Sequence, residues 1–211
     1  MDMREKVANI LRVPDELYFE ARTALNYGSP LELLVATILS AQCTDERVNQ
    51  VTAVLFGKYR NAGDYAEAPL ERLEGEIRPT GFFRNKARSI KGCCQALLSC
   101  RAGEVPPDLD TLVKLPGVGR KTANVVLGSA FGIPAITVDT HVARVTGRLG
   151  LTSQTDPVKI EFDLMEKLPR ERWTRCSNQI IWHGRRICLA RRPKCPVCKL
   201  LPWCDYGRKL D

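Results

Sequence analysis

Apolar and polar residues recur along most of the chain at helical spacing, in short runs broken by proline, glycine and capping residues. Two short helices are expected at the N-terminus, Glu5 to Leu11 and Asp15 to Leu25, separated at Pro14, which has no N–H to continue the ladder. Ser29-Pro30-Leu31-Glu32 is a capping box with proline at the first helical position. It opens a run from Leu31 to Ser40 that is apolar on nearly all sides, the pattern of a central buried helix. Thr44 or Asp45 can cap the next helix, in which Val48, Val51, Val54 and Leu55 repeat. Pro69 to Ile77 and Asn85 to Leu98 follow, the latter with Ala87, Ile90, Cys94 and Leu97 on one face. Leu109 to Leu115, Arg120 to Phe131, Thr140 to Leu149, a helix opened by Asp156-Pro157, and Trp173 to Cys188 complete the series. Ile133 to Val138 reads as short and extended. No run combines period-two alternation with hairpin turn residues, so an all-α fold is expected.

On pattern alone, residues 25–132 are a continuous series of short helices, and the remainder carries a cysteine-rich C-terminal segment. The N-terminal helices could pack on either half. At 211 residues the chain can bury a substantial core as one domain or two. A formal charge of +8 points to an anionic partner such as nucleic acid. Residues 1–13 carry charges at Asp2, Arg4, Glu5 and Lys6 and no long apolar run, so no signal peptide is expected. The most apolar stretch, Val125 to Val138, is interrupted by Gly128, Gly132 and Pro134 and is too short to span a bilayer. A reducing compartment is the consequence, in which nine cysteines are not expected to form disulfides. Cys43, Cys93, Cys94, Cys100 and Cys176 are scattered through helical patterns and read as small buried hydrophobes.

The other four cysteines are different. Cys188, Cys195, Cys198 and Cys204 have the spacing C-x6-C-x2-C-x5-C. Four thiolates suit either a tetrahedral zinc or an iron–sulfur cluster. Structural zinc sites more often show two close pairs across a longer loop, and the wide spacing here favours the larger object, a 4Fe–4S cluster. Arg185, Arg186, Arg191, Arg192 and Lys194 crowd the same segment. A loop pinned at both ends by a cluster is a rigid holder of phosphates, whereas the bland alternative is a solvated basic face.

Leu115-Pro116-Gly117-Val118-Gly119-Arg120-Lys121 reads as a glycine hairpin between two helices, with Asp108 placed to cap the first and Lys121 in the first turn of the second. Glycines let backbone N–H groups approach an anion, and a helix N-terminus favours negative charge. Lys121 is either a plain surface charge or a nucleophile. As a nucleophile its amine must act without its proton, which desolvation and the positive end of the helix favour, and it can then form a Schiff base with a sugar aldehyde carbon. Asp139, before the helix from Thr140, is either a helix N-cap or a carboxylate that accepts a proton or steadies positive charge on a sugar.

These residues together resemble the endonuclease III family of the helix-hairpin-helix DNA glycosylases. The matching pieces are Leu39-Ser40-Ala41-Gln42-Cys43-Thr44-Asp45, Leu115 to Val126, Val138-Asp139-Thr140-His141-Val142, Trp182-His183-Gly184 and the four cysteines, spanning about residues 30 to 206. The resemblance implies a two-lobed all-α fold with DNA in the cleft. The central helical barrel domain would comprise 25–132, with the helix-hairpin-helix at 109–131. The cluster domain would comprise 1–24 plus 133–211. It implies removal of oxidised pyrimidines from double-stranded DNA after base flipping, then strand cleavage at the abasic site by β-elimination. Lys121 would be the nucleophile and Asp139 its assistant. Cys188, Cys195, Cys198 and Cys204 would hold the 4Fe–4S cluster. Gln42 would fill the gap in the duplex, Phe82 would wedge the opposite strand, and Gly117, Val118, Gly119 and Arg120 would bind backbone. Arg185, Arg186, Arg191, Arg192 and Lys194 would bind DNA beside the cluster. A monomer acting in the cytoplasm on the nucleoid is expected, with no membrane association. Cys43 stands where a small non-thiol residue is expected, and the aromatic wedge departs from the family's usual apolar residue. His141 and His183 read equally well as packed, non-catalytic histidines.

A mismatch or adenine glycosylase of the same superfamily would carry tyrosine or serine in place of Lys121, and the adenine enzymes would continue well past Cys204. A non-catalytic DNA-binding module would need neither Lys121 nor Asp139. A ferredoxin-like electron carrier would account for the cysteines but not for the glycine hairpin or the basic charge.

Overall fold

The computed structural model describes residues 2–209, and every regular element among them is helical. The α-helices are α1 (Met3–Leu17), α2 (Pro30–Leu39), α3 (Asp45–Lys58), α4 (Ala62–Glu67), α5 (Leu70–Ile77), α6 (Phe83–Arg101), α7 (Leu109–Leu112), α8 (Arg120–Ala130), α9 (Thr140–Leu149), α10 (Pro157–Lys167) and α11 (Trp173–Arg186). Among the described residues none of these is long and apolar enough to cross a membrane. The chain forms two compact units, Ala24–Ile133 and the described residues of Met1–Thr23 with Pro134–Asp211.

In the unit Ala24–Ile133, α2 is buried at every position from Leu33 to Leu39. Ser29 Oγ caps it by accepting from the Glu32 N–H at 3.2 Å, while the Glu32 carboxylate reaches back to the Gly28 N–H. Thr44, not Asp45, caps α3, accepting from the Arg47 N–H at 3.3 Å. The six-residue α4 is too short to show a period and was not predicted. Asn61 caps it through Oδ1, and Tyr65 anchors it in the core. Leu73, Ile77, Ile90, Leu97, Leu112 and Val126 complete that core. Cys93 and Cys94 lie within it, and burial pushes both thiols up to about 12.

The N-terminal prediction needs correcting. A single helix, α1, runs through Pro14 to Leu17, and residues 18–29 form no helix. Pro14 sits in the last turn, where it removes one bond of the ladder without ending the helix. Tertiary contacts hold that turn. Val13 and Pro14 are buried, and Asp15 accepts from Arg172 Nη2 at 2.6 and 2.7 Å and from Gln179 Nε2 at 2.9 Å. Burial works to raise the Asp15 pKa, but the hydrogen bonds from Gln179 and Arg172 outweigh it and hold the carboxyl below its usual range. This ties α1 to α11, and Val7, Ile10 and Leu11 join Val142, Val145, Leu149, Ile160, Leu164 and Ile180 in one apolar cluster.

Candidate active site

The hairpin is tighter than its pattern indicated. α7 ends at Leu112, three residues before the predicted end, and Asp108 Oδ1 caps it by accepting from the Thr111 N–H at 2.8 Å. Two turns follow, Leu115 N–H to the Leu112 carbonyl and Val118 N–H to the Leu115 carbonyl, each at 3.1 Å. Gly117 has φ +75°, and a Cβ there would lie 2.4 Å from Ser89 Cβ on α6, so both dihedral and space demand glycine. Val118 is buried and pins the loop to the core. Gly119 is the N-cap of α8 and supplies no side-chain cap, and a Cβ there would meet no atom within 4 Å. The backbone at the start of α8 therefore faces open space at the positive end of a helix dipole. Lys121 stands in that first turn with an exposed side chain, and Arg120 beside it is half-buried.

Asp139 is the N-cap of α9 in the other unit. Its Oδ1 accepts from the Val142 N–H at 2.8 Å, and Oδ2 takes no part in that cap. His141, in the first turn of α9, has Nδ1 3.1 Å from Arg144 Nη2. Burial lowers the His141 pKa, with the Asp139 charge opposing and Arg144 and Arg185 reinforcing. His183 is 3% exposed, with Nδ1 3.1 Å from the Tyr18 hydroxyl and Nε2 3.6 Å from Cys198 Sγ. Burial takes its pKa down to about 4, and it packs beside the cysteine segment.

Cys188, Cys195, Cys198 and Cys204 line one cavity together with Val145, Leu149, Ile187 and Leu201. Burial pushes the Cys198 thiol up; the Leu200 N–H opposes it, and the neighbouring thiols of Cys204, Cys188 and Cys195 add to the rise. Among the described residues no three His, Cys, Asp or Glu side chains converge closely enough to share a single metal ion. The loop from Cys188 is closed by the Lys194 N–H donating to the Ile187 carbonyl at 3.0 Å. Arg185, Arg186, Arg191, Arg192 and Lys194 are exposed around it. Arg186 lies over the Trp182 ring at 4.2 Å, and Trp182 Nε1 donates to the Arg22 carbonyl at 3.2 Å.

Sequence reasoning missed what holds this loop. Arg148 Nη1 donates to the Leu189 carbonyl at 2.7 Å and to Cys188 Sγ at 3.4 Å, and Nη2 donates to the Ala190 carbonyl at 3.0 Å. Arg144 donates from Nη2 to the carbonyls of Gly184 and Cys188, each at 3.0 Å. The signal available was two arginines one turn apart on α9, which reads equally as a solvated face. Cys43 and Cys100 also depart from expectation: the first is half-buried and the second exposed, whereas Cys176 is buried.

Gln42 and Phe82 lie in the unit Ala24–Ile133, each in a turn at the end of a helix. Gln42 is exposed with φ 52°; Phe82 is 63% exposed with φ 47°. Among the described residues only Gln42, Phe82, Ala102 and Arg192 hold a positive φ without being glycine, and three of these four are among the predicted DNA contacts. Strained dihedrals persist where surroundings over-determine them, and they concentrate at functional sites.

Residues 35–170 match the family model of the HhH-GPD superfamily base excision DNA repair proteins. An endonuclease III from Synechocystis is 51% identical over 97% of this chain and 94% of its own. Two solved structures superpose with TM-score 0.94 at 47% identity, covering 100% of this chain and 99% of theirs. One is a non-covalent endonuclease III–DNA complex, and the other is a trapped covalent endonuclease III–DNA intermediate. A thermostable thymine-DNA glycosylase, 24% identical with TM-score 0.85, shares the fold. With a hairpin, a first-turn lysine and a four-cysteine segment in the expected order, the chain belongs to the endonuclease III family of the HhH-GPD superfamily of base excision DNA repair proteins.

Proposed function

We propose that the chain is a bifunctional DNA glycosylase and abasic-site lyase, with Lys121 as its nucleophile and oxidised pyrimidines in double-stranded DNA as its substrates. The observation that carries this reading is Lys121 itself, an exposed amine in the first turn of a helix whose side-chain-free cap leaves the backbone open to a phosphate. The backbone at Gly117, Val118 and Gly119, followed by Arg120, grips the damaged strand. With the nucleotide flipped out, Lys121 Nζ attacks C1′ and the bond from C1′ to the base breaks, its electron pair leaving with the base, which takes up a proton. Loss of the amine proton and opening of the sugar ring give a Schiff base between Nζ and C1′. Removal of a C2′ proton then expels the 3′ phosphate, and hydrolysis frees the lysine. Asp139 accepts the lysine proton or steadies the developing positive charge on the sugar. Its cap through Oδ1 fixes the orientation of the carboxylate for that task.

Gln42 fills the space the nucleotide leaves, and Phe82 wedges the opposite strand. Arg185, Arg186, Arg191, Arg192 and Lys194 hold phosphates. Four thiols lining one cavity suit an iron–sulfur cluster held by thiolates. Cys188, Cys195, Cys198 and Cys204 would hold a 4Fe–4S cluster, which supplies a four-point tie for the basic loop. On this reading Ala24–Ile133 is the central domain, the remaining unit is the cluster domain, and the enzyme acts as a monomer.

Borohydride trapping on a duplex containing thymine glycol or an abasic site tests the proposal. A covalent adduct is expected from the wild type, lost in Lys121→Ala while binding is largely kept. Wild-type protein that binds such a duplex and never traps would remove the lyase step.

A further inference from the structure

Lys86, near the start of α6, is 5% exposed, and lysines are rarely so deeply buried unless paired. Its Nζ donates to the Leu39 carbonyl and to the Thr80 carbonyl, each at 2.8 Å. Its backbone N–H donates to the Phe82 carbonyl at 3.2 Å. Leu39 is the last residue of α2, and Thr80 ends the 3-10 turn Arg78–Thr80; carbonyls at such ends lack a partner within their own helix. Burial lowers the Lys86 pKa, with the Cys43 thiol opposing, while both acceptors favour the charged form.

The placement of the two carbonyls gives this clamp its meaning. Three residues beyond Leu39 the chain reaches Gln42, and two beyond Thr80 it reaches Phe82. Both are exposed side chains on left-handed backbone, a conformation that costs a non-glycine residue on the order of 1 kcal/mol and must be held from outside. Lys86 holds the Phe82 turn from two sides, through Thr80 and through Phe82 itself, and holds the Gln42 turn at its root. Capping two carbonyls would need only a fold. Capping these two fixes the spacing between the residues assigned to the duplex.

We propose that Lys86 is a positioning residue that ties the Gln42 and Phe82 turns together, so that both side chains enter the duplex at a set separation. This rests on the reading of Gln42 and Phe82 as duplex-entering residues. An abasic site in single-stranded DNA has no opposite base to displace and no gap to fill, so it reports the lysine chemistry alone.

The experiment compares strand cleavage at an abasic site in duplex and in single-stranded DNA, per enzyme molecule trapped by borohydride on the single strand. Lys86→Met keeps the apolar stem and removes the donors; Lys86→Gln keeps donors on a stem too short to reach both carbonyls, and serves if the methionine variant does not fold. The duplex-to-single-strand rate ratio is expected to fall at least about tenfold in either variant, since a misplacement of about 1 Å can cost on the order of 10²-fold. The single-strand rate should hold. In a Gln42→Ala/Phe82→Ala background, the Lys86 substitution should lower the ratio no further. An equal loss on both substrates, an unchanged ratio in a folded variant, or an additive loss in that background overturns the proposal. If Gln42→Ala/Phe82→Ala by itself leaves the ratio at the wild-type value, the duplex-entry reading fails and takes this inference with it.

Discussion

Gly117 and Gly119 look interchangeable in a Gly-Val-Gly turn, yet their surroundings predict opposite behaviour. At Gly117 alanine would have to hold φ +75°, which costs about 1–2 kcal/mol. Its Cβ would stand 2.4 Å from Ser89 Cβ and 2.7 Å from Ser89 Oγ, and overpacking of this kind costs about 1–3 kcal/mol more. The sum is about 2–5 kcal/mol. At Gly119 the dihedrals, φ −86° and ψ 170°, suit any residue, and the new Cβ has no atom within 4 Å. Restricting the unfolded chain stabilises by about 0.4–1 kcal/mol, and placing alanine at a helix N-cap costs a similar amount, so the net change is within about 0.5 kcal/mol. Only DNA should register that methyl.

A hydrogen bond from backbone to a charged phosphate contributes about 1.5–3 kcal/mol, so Gly119→Ala should weaken binding by roughly tenfold or more, and Gly119→Val further. The assays are chemical denaturation for stability, and anisotropy on a duplex carrying an uncleavable abasic analogue at one fixed salt concentration. Gly117→Ala should fail the first and Gly119→Val the second. Full affinity in a folded Gly119→Val would mean that the start of α8 does not meet a phosphate.

Asp139→Asn should keep the cap, because asparagine serves as well as aspartate at that position, so melting should barely move while turnover falls at least about 10²-fold; a large melting loss with normal turnover per folded molecule would leave only the cap. Arg191→Ala or Arg192→Ala should weaken binding to all sequences and reduce the salt slope by about 0.9 per lost phosphate contact. An unaltered slope would return those arginines to a solvated face. Purified protein should be brown, with about four iron and four sulfide per chain. Equimolar zinc in a colourless preparation would contradict the cluster.

Much of this was legible in the sequence, and what was not has a common cause. Ser29, Asp108, Asp139 and Asp156 cap the helices their positions predict, because capping is a contact between near neighbours. Pro14 failed as a breaker because the turn after it is held by Arg172 and Gln179, more than 150 residues away along the chain. Asp139 shows a subtler case. Cap and catalyst are competing readings of one carboxylate in a sequence, but a carboxylate has two oxygens, and committing Oδ1 to the Val142 N–H leaves the assignment of Oδ2 open. Lys86 lay furthest from view. Its local pattern is an ordinary lysine at the start of a helix, and its partners are 47 and 6 residues away. Nothing in a periodicity reports that an ammonium is buried or which carbonyls it meets. Strain supplies the missing pointer: Gln42 and Phe82 hold left-handed backbone that neither residue type favours, and such backbone persists only where its surroundings over-determine it.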